Sequence, residues 1–222
     1  MKLQKMITKL ERHHKKKIDL TLERTFNLLK KLGNPQDKLK NVVSVVGTNA
    51  KASMSYALKS VLNQAGLKCN MYTSPHLQSY SERFIFNDNE IDERNLLELL
   101  IDTKKVLGDD SATVFEILTC AFLKYAENFK DNINIIESGL FHRFDATNIL
   151  QENIASVVTA IGIDHTDWLP ENERTIDKII FEKTSSLLNS KIIVSNQNDK
   201  KTLEKIKKSI KSNGSKKIIF ND

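Results

Sequence analysis

The sequence predicts an α/β fold, a mostly parallel sheet with helices on both faces. Three observations carry this reading. Val42–Val46 and Ala155–Ile161 are short apolar runs of the kind that form strands buried on both faces. Helix-patterned segments alternate with such runs along the chain, as parallel strands joined by crossover helices require. Polar residues crowd the loops that follow the strands, although apolar strands lead into them.

In chain order, Thr21–Leu32 is an amphipathic helix stopped by Gly33-Asn34-Pro35. The strand Val42–Val46 leads through Gly47–Ala52 to a helix at Ser53–Ala65, closed by Gly66. A strand follows at Lys68–Tyr72, then the loop Thr73–His76. Arg83–Phe86 and Glu90-Ile91 flank Asn87-Asp88-Asn89 as a hairpin. Helices are expected at Asp92–Val106 and Thr113–Asn128, then strands at Asn134–Glu137 and Ala155–Ile161. The helix Thr175–Leu188, the strand Lys191–Ser195, a lysine-rich helix and the strand Lys217–Phe220 end the pattern. With no repeat, no low-complexity linker and one composition regime, residues 1–222 read as a single domain.

The net charge of +6 is unevenly spread. Residues 1–40 hold 12 Lys/Arg against 4 Asp/Glu, and residues 200–222 hold 8 against 2, while the middle is acidic. The terminal lysines fall on helix-patterned segments and read as solvated faces rather than a polyanion groove, so no specific nucleic-acid partner is expected. No run of 18 apolar residues exists, and the first 17 residues lack a signal peptide's apolar core. Cys69 and Cys120 lie far apart in apolar segments, as buried thiols of a reduced cytoplasm do.

In open parallel sheets, ligands bind beyond the C-terminal strand ends. The loop after the first strand, Gly47-Thr48-Asn49-Ala50-Lys51-Ala52-Ser53, would offer a helix N-terminus and a lysine to phosphate oxygens. Alone it equally fits an ordinary strand–helix connection with an exposed lysine. Glu137 ends an apolar strand, where its carboxylate needs a cation or a partner; a salt bridge with Arg143 would equally serve. His165 follows Asp164 on another strand-end loop, where a lone histidine is often incidental. Ser53, Ser74 and Glu137 are hard oxygen donors suited to Mg²⁺.

Five motifs in order resemble one family. LGNPQDKLKNVVSVVGTNAKAS is similar to the helix end and phosphate loop G-T-N-G-K-G-S of the folylpolyglutamate synthase/dihydrofolate synthases, of the Mur ligase superfamily. YTSPHLQSYSERFIFNDNEI resembles their S-P-H-L loop, and TVFEILTCAFLKYA their F-E-x-x-T helix. ESGLFHRFDATNIL is similar to E-V-G-L-G-G-R-x-D-A-T-N, and TAIGIDHTDWLPENERTIDKIIFEKTSSL to G-x-D-H and R-E-K-A-G-I.

The resemblance implies a P-loop-like Mur ligase central domain and an ATP-dependent, cytoplasmic ligase. Such an enzyme turns a folate or pteroate carboxylate into an acyl phosphate, which the amino group of glutamate attacks. Carried over motif by motif, Gly47, Thr48, Asn49, Ala50, Lys51, Ala52 and Ser53 would hold ATP. Ser74, Glu137 and His165 would bind Mg²⁺, and Lys183 matches a lysine carbamylated to bridge metal. Lys51, Lys183 and His165 would be the catalytic set. Thr113, Phe115, Glu116, Phe144, Asp145 and Ala146 would line the pterin substrate.

Departures from the pattern are Ala50 and Ala52 for loop glycines, Phe141-His142 for Gly-Gly, and Phe181 for arginine. The family's C-terminal domain has no counterpart in these 222 residues, so a separate chain supplying it is an implied partner. The other reading is a non-catalytic nucleotide- or pterin-binding remnant, or a regulatory partner of that fold.

Overall fold

The computed structural model describes residues 2–12, 20–150, 153–187, 190–195, 197–212 and 217–220. Among these residues eight strands form one sheet in the order β4-β3-β2-β5-β1-β6-β7-β8. They are β1 (Val42–Val46), β2 (Cys69–Tyr72), β3 (Phe84–Phe86), β4 (Asn89–Glu90), β5 (Ile133–Glu137), β6 (Ala155–Val158), β7 (Lys191–Val194) and β8 (Lys217–Phe220). Along the sheet from β2 to β8 every pairing is parallel, and only β3 runs the other way, antiparallel to both β2 and β4. Asn87 and Asp88 turn that hairpin with φ of 49° and 71°, the positive pair that matches strand twist.

The helices are α1 (Leu3–Glu11), α2 (Glu23–Lys31), α3 (Lys51–Gln64), α4 (Glu93–Leu107), α5 (Val114–Ala126), α6 (Ile176–Thr184) and α7 (Lys200–Ser212). Their distribution over the sheet is unequal. Alternate β1 residues Val42 and Val46 pack with the core residues of α1, α2, α4 and α5 and of α6 and α7 respectively. Val45 points to the other face, where α3 packs Met54, Leu58 and Leu62 on Met71 and Ile135. Helices therefore cover both faces as expected, but among the described residues α3 stands alone on its side. Beyond its reach Ile193 and Ile219 stay exposed.

Boundaries differ from the sequence reading at three places that shape the site. α3 begins at Lys51 rather than Ser53, because Ala50 adopts the left-handed conformation and serves as its N-cap. β6 ends at Val158, so Thr159–Ile161 belongs to the loop that meets residues 48 and 49. α6 ends at Thr184, short of Leu188, which lies outside the described residues. The basic N-terminus also does more than face solvent. α1 buries Leu3, Met6, Ile7 and Leu10 in the core while Lys2, Lys5 and Lys9 stay outside.

Pairing register sets the site. Val45 lies beside Glu137, and Val46 beside Val158, so β1, β5 and β6 deliver their C-terminal loops side by side. β1 sits where the crossovers diverge, toward β5 on one hand and β6 on the other, which is the crevice position in open parallel sheets.

Candidate functional site

The loop after β1 is stapled to the loop after β6. The N–H groups of Thr48 and Asn49 donate to the Ala160 carbonyl at 2.9 and 3.1 Å. The Thr48 hydroxyl donates to the Gly162 carbonyl and accepts from the Gly162 N–H, both at 3.1 Å. Gly47 permits this approach: at φ 152° a Cβ there would lie 1.9 Å from Thr159 Oγ1. Ala50 has φ 64° and ψ 14°, a left-handed conformation costing about 1–2 kcal/mol for a residue with a Cβ. α3 then starts at Lys51 with no side-chain cap, so its first-turn N–H groups present a site for an anion. Lys51 folds back, its Nζ 3.2 Å from the Thr48 carbonyl, and Ala52 and Ser53 occupy the exposed first turn.

Glu137 closes β5 with 2% exposure, and its Oε2 has no hydrogen-bond partner. Burial pushes its carboxyl up to about 7, against the opposing pull of Lys51, the Ser74 N–H and Arg83. Arg143 does not compensate it. That guanidinium forks onto Glu182 at 2.8 Å through both nitrogens and stacks on Phe144 at 4.2 Å.

Lys183 is 1% exposed and donates from Nζ to the Gly47 carbonyl at 2.8 Å. Burial, then Lys51, holds its amine down at about 8. The Phe141 ring, carried on a backbone of φ 57°, lies 5.7 Å from that amine and meets His165 edge-on at 6.3 Å. His165 pairs with Asp164 at 3.1 Å, and burial lowers its pKa.

Among the described residues no three His, Cys, Asp or Glu side chains group as a metal centre. A site of one carboxylate, one hydroxyl, water and phosphate oxygens is the form Mg²⁺ prefers, and the unpartnered Glu137 Oε2 is the atom that fits it.

Beyond these strand ends lies a cavity of about 700 Å³, within the size range of small-molecule sites. It brings together Thr48, Lys51, Ser74, Thr113, Phe115, Glu116, Phe144, Asp145, Ala146 and His165, drawn from five separate stretches of the chain. Gly47, Asn49, Ala50, Ala52, Ser53, Glu137 and Lys183 are not on its wall.

Two of the carboxylates expected to face substrate are held by the protein. Glu116 accepts both Arg24 nitrogens, at 3.1 and 2.8 Å, and also the Thr113 N–H in a capping box for α5. Asp145 is buried and accepts from the N–H groups of Gly139, Leu140 and Thr147. Both shape the wall. Tyr80 and Arg83 also line the cavity; sequence reasoning took Arg83 only as the start of a hairpin strand and gave Tyr80 no role. Their signal was present in retrospect, because they close the loop that carries Ser74: the Thr73 N–H donates to the Arg83 carbonyl at 3.2 Å.

Comparison with known proteins agrees with this geometry. No family model matches the chain. The dihydrofolate synthase/folylpolyglutamate synthase of Escherichia coli is 38% identical over 169 residues, 76% of this chain and 40% of that protein. The dihydrofolate synthetase of Saccharomyces cerevisiae is 30% identical over 204 residues, 89% of this chain and 47% of its own length. Among solved structures, E. coli FolC in complex with DHPP and ADP superposes with a TM-score of 0.86 at 32% identity, over 99% of this chain and 51% of that one. The Yersinia pestis enzyme complexed with AMPPNP and Mn ion also gives 0.86, at 29% identity over 100% of this chain and 52% of that one. The chain thus spans between two fifths and about half of the proteins it matches. By sequence and by fold, it belongs to the dihydrofolate synthase/folylpolyglutamate synthase family.

Proposed function

We propose that this domain serves an ATP-dependent ligase that joins glutamate to the carboxylate of a folate or pteroate. One observation carries the reading. A left-handed residue before Lys51, an uncapped helix start and the unpartnered buried oxygen of Glu137 meet at one strand-end edge, beside an aromatic-walled cavity.

In this reading Gly47 to Ser53 cradle the triphosphate, with Lys51 as the charge on it. Ser74, Glu137 and His165 hold Mg²⁺, and Lys183 is the lysine that carbamylation would turn into a further ligand. Phe115, Phe144 and Ala146 pack on the pterin, while Thr113, Glu116 and Asp145 fix the wall behind it. Phosphate transfer from ATP to the carboxylate releases ADP; attack by the glutamate amine then forms the amide and expels phosphate. The residues' own part is positioning and charge neutralisation. No helix among the described residues is long and apolar enough to cross a membrane, and we place the reaction in the cytoplasm.

The relatives' remaining length would supply the other wall of the cleft, on a separate polypeptide or further along the same one. Without it, exclusion of water and capture of glutamate are incomplete. The test is calorimetry of the 222-residue chain with Mg-ATP and with dihydropteroate, followed by ADP release on adding glutamate. Binding of both ligands with turnover far below about 1 s⁻¹ is expected. Mn²⁺ should raise the melting temperature of the wild type but not of Glu137→Gln. Absence of any nucleotide binding would favour the non-catalytic remnant.

A further inference from the structure

The cavity holds two cations, Lys51 and Arg83, and only Lys51 lies on the phosphate loop. Arg83 has no ion pair among the described residues, whereas Arg24, Arg94 and Arg143 each have one. Its orientation is nevertheless set on two sides. Nε donates to His76 Nδ1 at 2.9 Å, and the guanidinium carbon sits 5.0 Å from the centre of the Tyr80 ring. The His76 and Tyr80 rings are themselves 4.1 Å apart, so the three side chains brace one another. With Nε engaged, the two terminal nitrogens remain as the parallel-donor fork that suits a carboxylate or phosphate. A half-buried, braced guanidinium in no ion pair among the described residues, on the wall of a ligand-sized cavity, is arranged for an anion brought from outside.

We propose that Arg83 binds the substrate carboxylate that becomes phosphorylated, holding it beside the phosphate loop as a specificity-determining contact. The proposal rests on the ligase reading above. Arg83 would hold the carboxylate before transfer and the phosphoryl oxygens afterwards, because the fork accepts either. Its preference is for a carboxylate over the neutral amide of the same molecule, which has one donor where Arg83 needs an acceptor.

The experiment compares dihydropteroate with its carboxamide, titrated into the full chain by calorimetry, with Mg-ATP measured in parallel. Wild type is expected to favour the carboxylate at least tenfold. Arg83→Gln should bind the two equally while keeping the wild-type carboxamide and Mg-ATP affinities, which also shows that the variant is folded. His76→Ala, which releases Nε, should lose part of the preference, and Arg83→Lys should recover part of it. A full carboxylate preference in Arg83→Gln overturns the proposal and leaves the ligase reading standing. So does an equal loss of Mg-ATP affinity, which would make Arg83 a counter-charge for Glu137 instead. Should Arg83→Gln not fold, an undiminished preference in both Arg83→Lys and His76→Ala overturns it. Failure of wild type to bind nucleotide and dihydropteroate removes the ligase reading, and this inference with it.

Discussion

Lys183 Nζ, on α6, donates to the Gly47 carbonyl across 136 residues of sequence at 2.8 Å, locking α6 to the phosphate loop. A hydrogen bond from a charged donor is worth about 1.5–3 kcal/mol, while burying the ammonium costs a comparable amount. Lys183→Met is therefore expected to leave denaturant stability within about 1 kcal/mol of wild type, because the two effects offset. Mg-ATP affinity should fall about ten- to hundredfold, as the loop loses its tether. Urea unfolding and calorimetry separate the two, and an unchanged affinity would remove Lys183 from the site.

Ala50 and Ala52 replace two glycines of the family pattern, yet their positions differ in kind. Ala50 is left-handed at φ 64°, whereas Ala52 lies within α3. Ala50→Gly should stabilise the chain by up to about 1 kcal/mol, the relief of strain less the added freedom of the unfolded glycine. It should also tighten Mg-ATP up to about tenfold where the methyl abuts phosphate. Ala52→Gly should destabilise by up to about 1 kcal/mol. Opposite signs for the two variants in urea unfolding are the outcome to look for.

Arg24 and Glu116 form a forked pair, with the Glu116 side chain 4% exposed. Removing only the arginine leaves a buried carboxylate uncompensated, so Arg24→Met should cost about 3–5 kcal/mol. Adding Glu116→Gln neutralises that charge and keeps the acceptor for the Thr113 N–H, so the double variant should recover more than half of the loss. A double variant no more stable than Arg24→Met would show that packing, not charge, is what the pair supplies.

His142 is buried beside Lys183, its Nδ1 has no partner, and burial drives its pKa down to about 3. In the unfolded chain it titrates near the usual value of about 6.5. Between these values the unfolded state binds a proton that the folded state refuses, so stability is full above about 6.5 and falls as pH drops. From pH 6.5 to 5 the loss should be about 1–2 kcal/mol from this residue. His142→Leu should flatten that slope in urea melts at the two pH values, and an unchanged slope would assign the acid sensitivity elsewhere.

Local patterns determined much of this molecule. Val42–Val46 and Lys191–Ser195 announced strands because both are short and rich in β-branched residues, and Gly33-Asn34-Pro35 stopped a helix by its own geometry. The order of polar loops after apolar strands marked the ligand-binding edge, and Gly47 to Ser53 marked the phosphate loop within it. The sequence also told which glycines had become alanine, and the left-handed Ala50 follows from that position.

Tertiary structure decided what those residues touch. Arg143 could have paired with Glu137 as far as sequence reasoning could tell, but β5 ends inside the sheet while Arg143 turns outward to α6 and takes Glu182. Glu116 and Asp145 read as lining the pterin, and the protein holds both: Arg24, 92 residues away, forks onto Glu116, while the N–H groups of Gly139, Leu140 and Thr147 fold the loop of Asp145 around its carboxylate. Arg83 could not be singled out among 34 Lys/Arg, because what distinguishes it is the side chains around it. The physical reason is common to all three cases. Backbone periodicity is written in neighbours a few residues apart, whereas a charge takes its meaning from groups within about 4–6 Å in space.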